Sequence, residues 1–206
     1  LGDLVLEAGF PPGVVNIVTG TGPEAGQPLI EHPLVSKIFF TGSTTTGIAV
    51  GRAAASHAKP VSLELGGKSP TIIFADADLE AAAAGAAESI FLNSGQICVA
   101  GSRLYVQKSA YDDVVNRVAS LASKHVVGSG LDPATTLGPV ISRRHKERVD
   151  GYIDAAENDG AELISSHTVP EQGFFVAPTI VTGAEHGAAI TQEEVFGPVL
   201  SVYPFD

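Results

Sequence analysis

The sequence predicts an α/β fold built on a largely parallel sheet, and three observations carry that expectation. Short β-branched runs alternate with helical patterns along the whole chain, which favours strand-helix-strand units over hairpins. The 206 residues are 44% hydrophobic and 17% charged, enough apolar mass for one good core or two small ones, so disorder and fibre are excluded. Apolar stretches are broken by Gly, Pro, Asp or Ser well before the roughly 18 residues that a bilayer span requires, which argues against membrane insertion.

Residues 1 to 9 read as the tail of a helix closing at a Gly C-cap. Val14-Val15-Asn16-Ile17-Val18 is a β-branched run that ends in the turn cluster Thr19 to Pro23. Residues 37 to 40 form a second strand, and after Gly42 a helix runs from about Thr44 to His57. Residues 61 to 65 are a third strand, stopped by Gly66-Gly67, and 71 to 74 a fourth. Asp76 is then placed to cap an Ala-rich helix of about Leu79 to Leu92. Residues 104 to 106 are a strand, and Ser109 three residues before Asp112 resembles a capping box. Behind it Tyr111, Val114, Val115, Val118 and Ala122 follow helical spacing and predict one buried face. Ser142 opens a basic helix in which Val149, Tyr152, Ile153 and Ala156 keep the same spacing, ending at Asn158-Asp159-Gly160. Strands near 162 to 165, 179 to 181 and 199 to 203 complete the pattern.

Both ends read as cut. No initiator Met or N-cap precedes the first helical residues, and the last strand ends three residues before the chain does, with nothing to cover it. The chain therefore reads as a segment of a larger protein. A net charge of −11 makes a nucleic-acid backbone a poor partner, so a bound anion needs a local, structured site. The single cysteine, Cys98, has no internal disulfide partner, which fits a reducing, cytoplasmic compartment and leaves one thiol to explain.

Four segments carry possible chemistry, and each has a bland counterpart. Phe40-Thr41-Gly42-Ser43-Thr44-Thr45-Thr46-Gly47 runs from a strand into a helix start, where free N–H groups, hydroxyls and the helix dipole suit a phosphate; ordinary N-capping explains the same residues. The spacing matches neither the Rossmann fingerprint nor the P-loop. Glu64 ends an apolar strand, where desolvation raises a carboxylate toward use as a general base; an exposed edge Glu is the alternative. Cys98, in Gly95-Gln96-Ile97-Cys98-Val99-Ala100-Gly101, is either a buried small hydrophobe or a thiol in an irregular, uncrowded loop, open to activation by a base such as Glu64. Glu193-Glu194-Val195-Phe196-Gly197-Pro198 is either a solvated loop or a carboxylate for a ribose diol beside a ring that packs on a flat cofactor.

Together the stretches Phe40 to Ser43 with Gly47, Leu63-Glu64-Leu65-Gly66-Gly67-Lys68-Ser69-Pro70, Gly95 to Ala100 and Glu193 to Pro198 resemble the aldehyde dehydrogenase superfamily, in the family's order. The resemblance begins at residues 7 to 14 and runs over essentially the whole chain, less than half of the family's full length. It implies residues 1–66 as the end of a Rossmann-like dinucleotide-binding domain and 67–206 as an incomplete catalytic domain. It implies Cys98 as the nucleophile that forms a thiohemiacetal and then a thioester, its own backbone N–H helping to hold the oxyanion, and Glu64 as the general base. Gly42, Ser43 and Gly47 would lie beside the pyrophosphate of NAD or NADP, Glu194 on the nicotinamide ribose, and Leu65 and Phe196 against the nicotinamide end. His145 and Arg148 fall on a helix that in relatives approaches the cofactor ribose, at positions whose identity varies.

This sequence departs from the family in Thr45-Thr46, where many relatives carry an acid, and the upstream residues that complete the oxyanion hole and grip the adenosine ribose are outside it. The choice between NAD and NADP therefore stays open. Gly101 to Val106 looks most like relatives acting on aromatic or arylacetic aldehydes, with a semialdehyde or betaine aldehyde as alternative and a non-catalytic fragment as the rival of another class. The resemblance implies a homodimeric or homotetrameric parent, acting on a small aldehyde without nucleic acid or membrane. The 206-residue segment alone is expected to be poorly soluble, with open apolar edges, and inactive.

Overall fold

The alternating strand and helix patterns resolve into two sheets in a computed structural model that describes residues 1–165 and 168–206. The chain divides into two units, Leu1–Gly66 and Gly67–Asp206.

In the first unit a helix α1 (Gly2–Glu7) gives way to Gly9 at φ 86°, and a short helix α2 (Gln27–Glu31) precedes the sheet. Strand β1 (Ile38–Thr41) pairs in parallel with β2 (Val61–Glu64), and α3 (Thr44–Ser56) forms the crossover between them. Ile30, Ile38, Val50 and Ala54 bury against one another as the core of this unit. The β-branched run Val14 to Val18 is no strand: all five residues are exposed and no ladder partner lies alongside them among the described residues. β-Branching supplies the propensity for extended backbone, but a strand also needs a neighbour to take its N–H and C=O groups.

The second unit holds five strands in the order β3 (Pro70–Ile73), β4 (Arg103–Gln107), β7 (Val199–Phe205), β6 (Thr179–Thr182), β5 (Glu162–Ile164). All neighbours are parallel except β5 with β6. Helices α4 (Leu79–Phe91) and α5 (Tyr111–Ala122) bury Ile90, Phe91, Val114 and Val118 against Leu104, Val106, Ile180, Leu200 and Val202. On a second cluster, α6 (Arg143–Asn158) and the single turn α7 (Ala189–Gln192) supply Val149, Ala156 and Ile190 against Val181 and Val199. Alternate residues of β7 thus feed two cores, as a parallel strand covered on both faces requires. This corrects the expectation that the last strand lies uncovered: β7 is inserted between β4 and β6, and residues 199 to 203 are all buried. Strand order across a sheet depends on contacts between distant segments, which sequence order does not display.

Two caps also differ from expectation. Asp78, not Asp76, caps α4, its carboxylate accepting the N–H groups of Glu80 and Ala81, each at 3.1 Å. Asp76 lies in the preceding turn, two residues too early for the first-turn donors. Ser109 sits in a 3₁₀ turn (Lys108–Ala110), and Ala110 at the cap of α5 offers no side-chain bond. Ser142 does cap α6, accepting the His145 N–H at 3.2 Å. No helix among the described residues is long and apolar enough to cross a membrane.

The parallel register has one consequence for chemistry. Because β3, β4 and β7 run the same way, the segments leading into them emerge at one edge of the sheet: Gly67 to Ser69, Cys98 to Ser102 and Glu193 to Pro198. The first unit instead presents the segments leaving β1 and β2, which carry Gly42 and Leu65.

Candidate active site

In the first unit, β1 passes through Gly42 into the start of α3. The Gly42 N–H donates to the Glu64 carbonyl at 3.0 Å, tying the turn to the end of β2. Ser43 is the N-cap; its Oγ accepts the Thr46 N–H at 3.2 Å and lies 2.9 Å from Thr46 Oγ1. The Thr44 and Thr45 amides at the head of this 13-residue helix have no protein partner among the described residues, and no acid occupies the first turn. Free N–H groups, a positive dipole end and two hydroxyls form a donor set suited to an anion. Gly47 is held close to Leu65: a Cβ there would come within 2.3 Å of the Leu65 methyl. Glu64 is the last residue of β2 and is exposed, so the first unit by itself does not desolvate its carboxylate.

In the second unit Cys98 is exposed, in an irregular turn between α4 and β4. Val99 beside it is 71% exposed, and the Cys98 N–H has no protein partner among the described residues. The turn is entered through three consecutive left-handed residues, Asn93 (φ 52°), Ser94 (φ 56°) and Gly95 (φ 71°). Such backbone is costly for residues with a Cβ and persists only when its surroundings hold it. Here the buried Ser94 hydroxyl donates to the Gly138 carbonyl at 2.7 Å, and Gln96 Oε1 accepts the Ile141 N–H at 2.9 Å. Gly95 admits no other residue, since a Cβ would lie 2.0 Å from the Gly197 carbonyl oxygen.

Three segments meet at this edge. A Cβ on Gly67 would lie 3.2 Å from the Cys98 carbonyl, and the Gly67 N–H donates to Glu194 Oε1 at 3.2 Å. Phe196 is left-handed at φ 61°, and Gly197 packs so closely on α6 that a Cβ would sit 2.7 Å from a Val149 methyl. Of the residues singled out from sequence, the structure brings Cys98, Glu194 and Phe196 to one edge of the second unit. Gly42, Ser43, Gly47, Glu64 and Leu65 lie together in the first.

Sequence reasoning did not single out Lys68. Its Nζ is buried without a hydrogen-bond partner, while its own carbonyl accepts two bonds from Arg103, at 3.0 and 2.6 Å. Burial pulls the ammonium from its ordinary 10.5 down to about 8; the Arg103 charge pushes the same way, and Glu194 and Glu193 partly oppose it. Nothing in the sequence around Lys68, a Gly pair on one side and the start of β3 on the other, marks its amine as buried. Between pH 8 and 10.5 the unfolded chain therefore binds more protons at this site than the folded one, so stability rises with pH across that window. The expected gain is on the order of 3 kcal/mol. Urea titrations at pH 7.5, 9 and 10.5 should show it, and Lys68→Met should flatten it; a slope unchanged in the variant would place the effect elsewhere.

Among the described residues no group of three or more His, Cys, Asp or Glu is arranged to hold a metal ion. The family model of the aldehyde dehydrogenase family matches residues 1–206. Phenylacetaldehyde dehydrogenase of Pseudomonas fluorescens is 50% identical over 208 residues, covering 100% of this chain and 41% of that protein. 2-Hydroxymuconic semialdehyde dehydrogenase of Pseudomonas sp. strain CF600 is 46% identical, over 100% of this chain and 44% of its own length. The solved NAD+ complex of an aldehyde dehydrogenase from Bacillus cereus superposes with a TM-score of 0.95 at 45% identity, over 99% of this chain and 42% of that one. The chain thus spans well under half the length of these relatives.

Proposed function

The chain belongs to the aldehyde dehydrogenase family, and on that premise we propose that it carries the cysteine of an enzyme oxidising a small aldehyde to a carboxylic acid with NAD or NADP. The observation that carries this reading is Cys98 itself: an exposed thiol in a turn entered through the left-handed residues Asn93, Ser94 and Gly95, with its own N–H unpaired among the described residues. Cys98 Sγ bonds to the aldehyde carbon, giving a thiohemiacetal whose oxyanion the Cys98 N–H stabilises. After oxidation the same sulfur holds the acyl group as a thioester, and water attacks its carbonyl carbon to release the acid and the thiolate. Glu64 takes the proton from the thiol, from that water, or from both in turn.

The residues present fit a nicotinamide dinucleotide. The free Thr44 and Thr45 amides with Ser43 suit a pyrophosphate beside Gly42 and Gly47, and one Glu194 oxygen remains open to a ribose diol after Oε1 takes the Gly67 N–H. Leu65 and Phe196 supply apolar surface for the nicotinamide end. Bound there, the dinucleotide supplies the hydride acceptor. In this reading residues 1–66 are the end of the dinucleotide-binding domain and 67–206 the catalytic one, within a homodimeric or homotetrameric protein. The lone cysteine fits a reducing cytoplasm.

For substrate, the similarity to phenylacetaldehyde dehydrogenase supports an aromatic or arylacetic aldehyde, and that to 2-hydroxymuconic semialdehyde dehydrogenase supports a semialdehyde as second reading. The full-length protein, assayed with phenylacetaldehyde, a dicarboxylic semialdehyde and betaine aldehyde, is expected to show its highest kcat/KM with phenylacetaldehyde by at least about tenfold, the discrimination an apolar pocket provides. A preference for either other substrate overturns the aromatic assignment.

A further inference from the structure

The loop that carries Glu194 and Phe196 is held by one face of α6, side chain by side chain. His145 Nε2–H donates to the Phe196 carbonyl at 2.6 Å, Arg148 Nη2 donates to the Glu194 carbonyl at 2.7 Å, and the Tyr152 hydroxyl donates to Glu193 Oε2 at 2.6 Å. Positions 145, 148 and 152 are three and four residues apart and therefore share a helix face. They meet loop residues 196, 194 and 193 in reverse order, so the loop runs antiparallel to the helix axis. Val149, on the same face, touches Gly197 closely enough to exclude any side chain there. The grip is braced on both sides: the Arg148 guanidinium lies 5.5 Å from the Tyr152 ring centroid and within 3.3 Å of its hydroxyl, and the His145 ring meets the Phe196 ring edge-on at 5.9 Å.

From these contacts we infer that His145, Arg148 and Tyr152 are positioning residues, a clamp that sets the place of Glu194 and, through the loop, of Cys98. The chain of contact is continuous. α6 holds Glu193 to Gly197; the Gly197 carbonyl abuts Gly95, the last left-handed residue before the cysteine turn; and Glu194 binds the Gly67 amide, whose neighbouring Cα faces the Cys98 carbonyl. Phe196, left-handed at φ 61°, is the residue that His145 holds from both carbonyl and ring. Two of the three bonds end on main-chain carbonyls, so the clamp fixes the loop's path whatever side chains the loop carries.

The clamp rests on the dehydrogenase reading only for what it positions; its existence is testable without cofactor or aldehyde. In the full-length protein, Arg148→Met removes the donor while keeping the aliphatic stem, and Tyr152→Phe removes one hydroxyl with little risk to folding. In either variant the amides of residues 194 to 197 are expected to exchange with deuterium about tenfold faster, the factor that loss of one charge-assisted or short hydrogen bond represents. Cys98 alkylation by iodoacetamide should change by at least about twofold in the same samples, and Arg148→Lys should restore part of the protection. In steady state the KM for NAD+ should rise about tenfold with kcat within about threefold. Loop exchange within twofold of the unmodified protein in both variants would overturn the clamp. Faster exchange in a protein that oxidises no aldehyde would leave the clamp standing and remove the dehydrogenase reading instead.

Discussion

Replacing Cys98 by alanine in the full-length protein is expected to abolish aldehyde oxidation, a loss of about ten-thousandfold or more, because the sulfur that forms the covalent intermediate is gone. The substitution removes one exposed atom in a turn whose backbone is held by Ser94, Gln96 and the Gly197 contact and not by the thiol. The unfolding midpoint should therefore stay where it is, and cofactor binding, followed by fluorescence or calorimetry, should persist. That combination separates a missing nucleophile from a damaged fold. Turnover surviving in the alanine variant would show that Cys98 is not the nucleophile.

Glu64→Gln is expected to lower kcat by about a hundredfold or more, the range attributed to a single general base, with KM for the cofactor nearly unchanged. The amide keeps the size and hydrogen-bonding reach of the carboxylate but takes no proton. Since Glu64 is exposed at the end of β2, and its carbonyl rather than its carboxylate holds the Gly42 amide, the substitution should leave stability unaltered. A fall in unfolding midpoint that accounts for the lost activity would make the carboxylate a structural one.

Much of the fold was legible because it depends on local pattern. The α5 face of Val114, Val115, Val118 and Ala122 is buried as its spacing requires, and the Ser43 and Ser142 caps sit where a hydroxyl meets first-turn amides. What escaped was set by distant partners. Val14 to Val18 has strand-forming residues but no neighbouring strand, and β7 gained two neighbours that its position near the chain end did not suggest. Asp76 and Asp78 compete for one cap on equal chemistry, and only the register of the turn chooses between them.

The candidate site shows the same division. Cys98, Glu64, Glu194 and the Gly42 turn stood out because their residue types carry chemistry in recognisable local settings. The tie between Gly67, Glu194 and the Cys98 backbone did not, because it exists only where parallel register brings the entrances of β3, β4 and β7 together. Lys68 was hidden for a related reason: a lysine in sequence gives no sign of whether its amine reaches water, and here it does not.

If Cys98 holds the substrate carbon during turnover, that bond can be trapped. The full-length Glu64→Gln protein, expected to hydrolyse a thioester slowly, is mixed with NAD+ and phenylacetaldehyde, quenched in acid within a single turnover, digested and examined by peptide mass spectrometry. The peptide containing Cys98, and no other, is expected to gain the mass of the acyl group, in an amount matching the NADH formed in the burst. NADH formed in the burst with the Cys98 peptide unmodified, or with the acyl group on another residue, would contradict a Cys98 nucleophile.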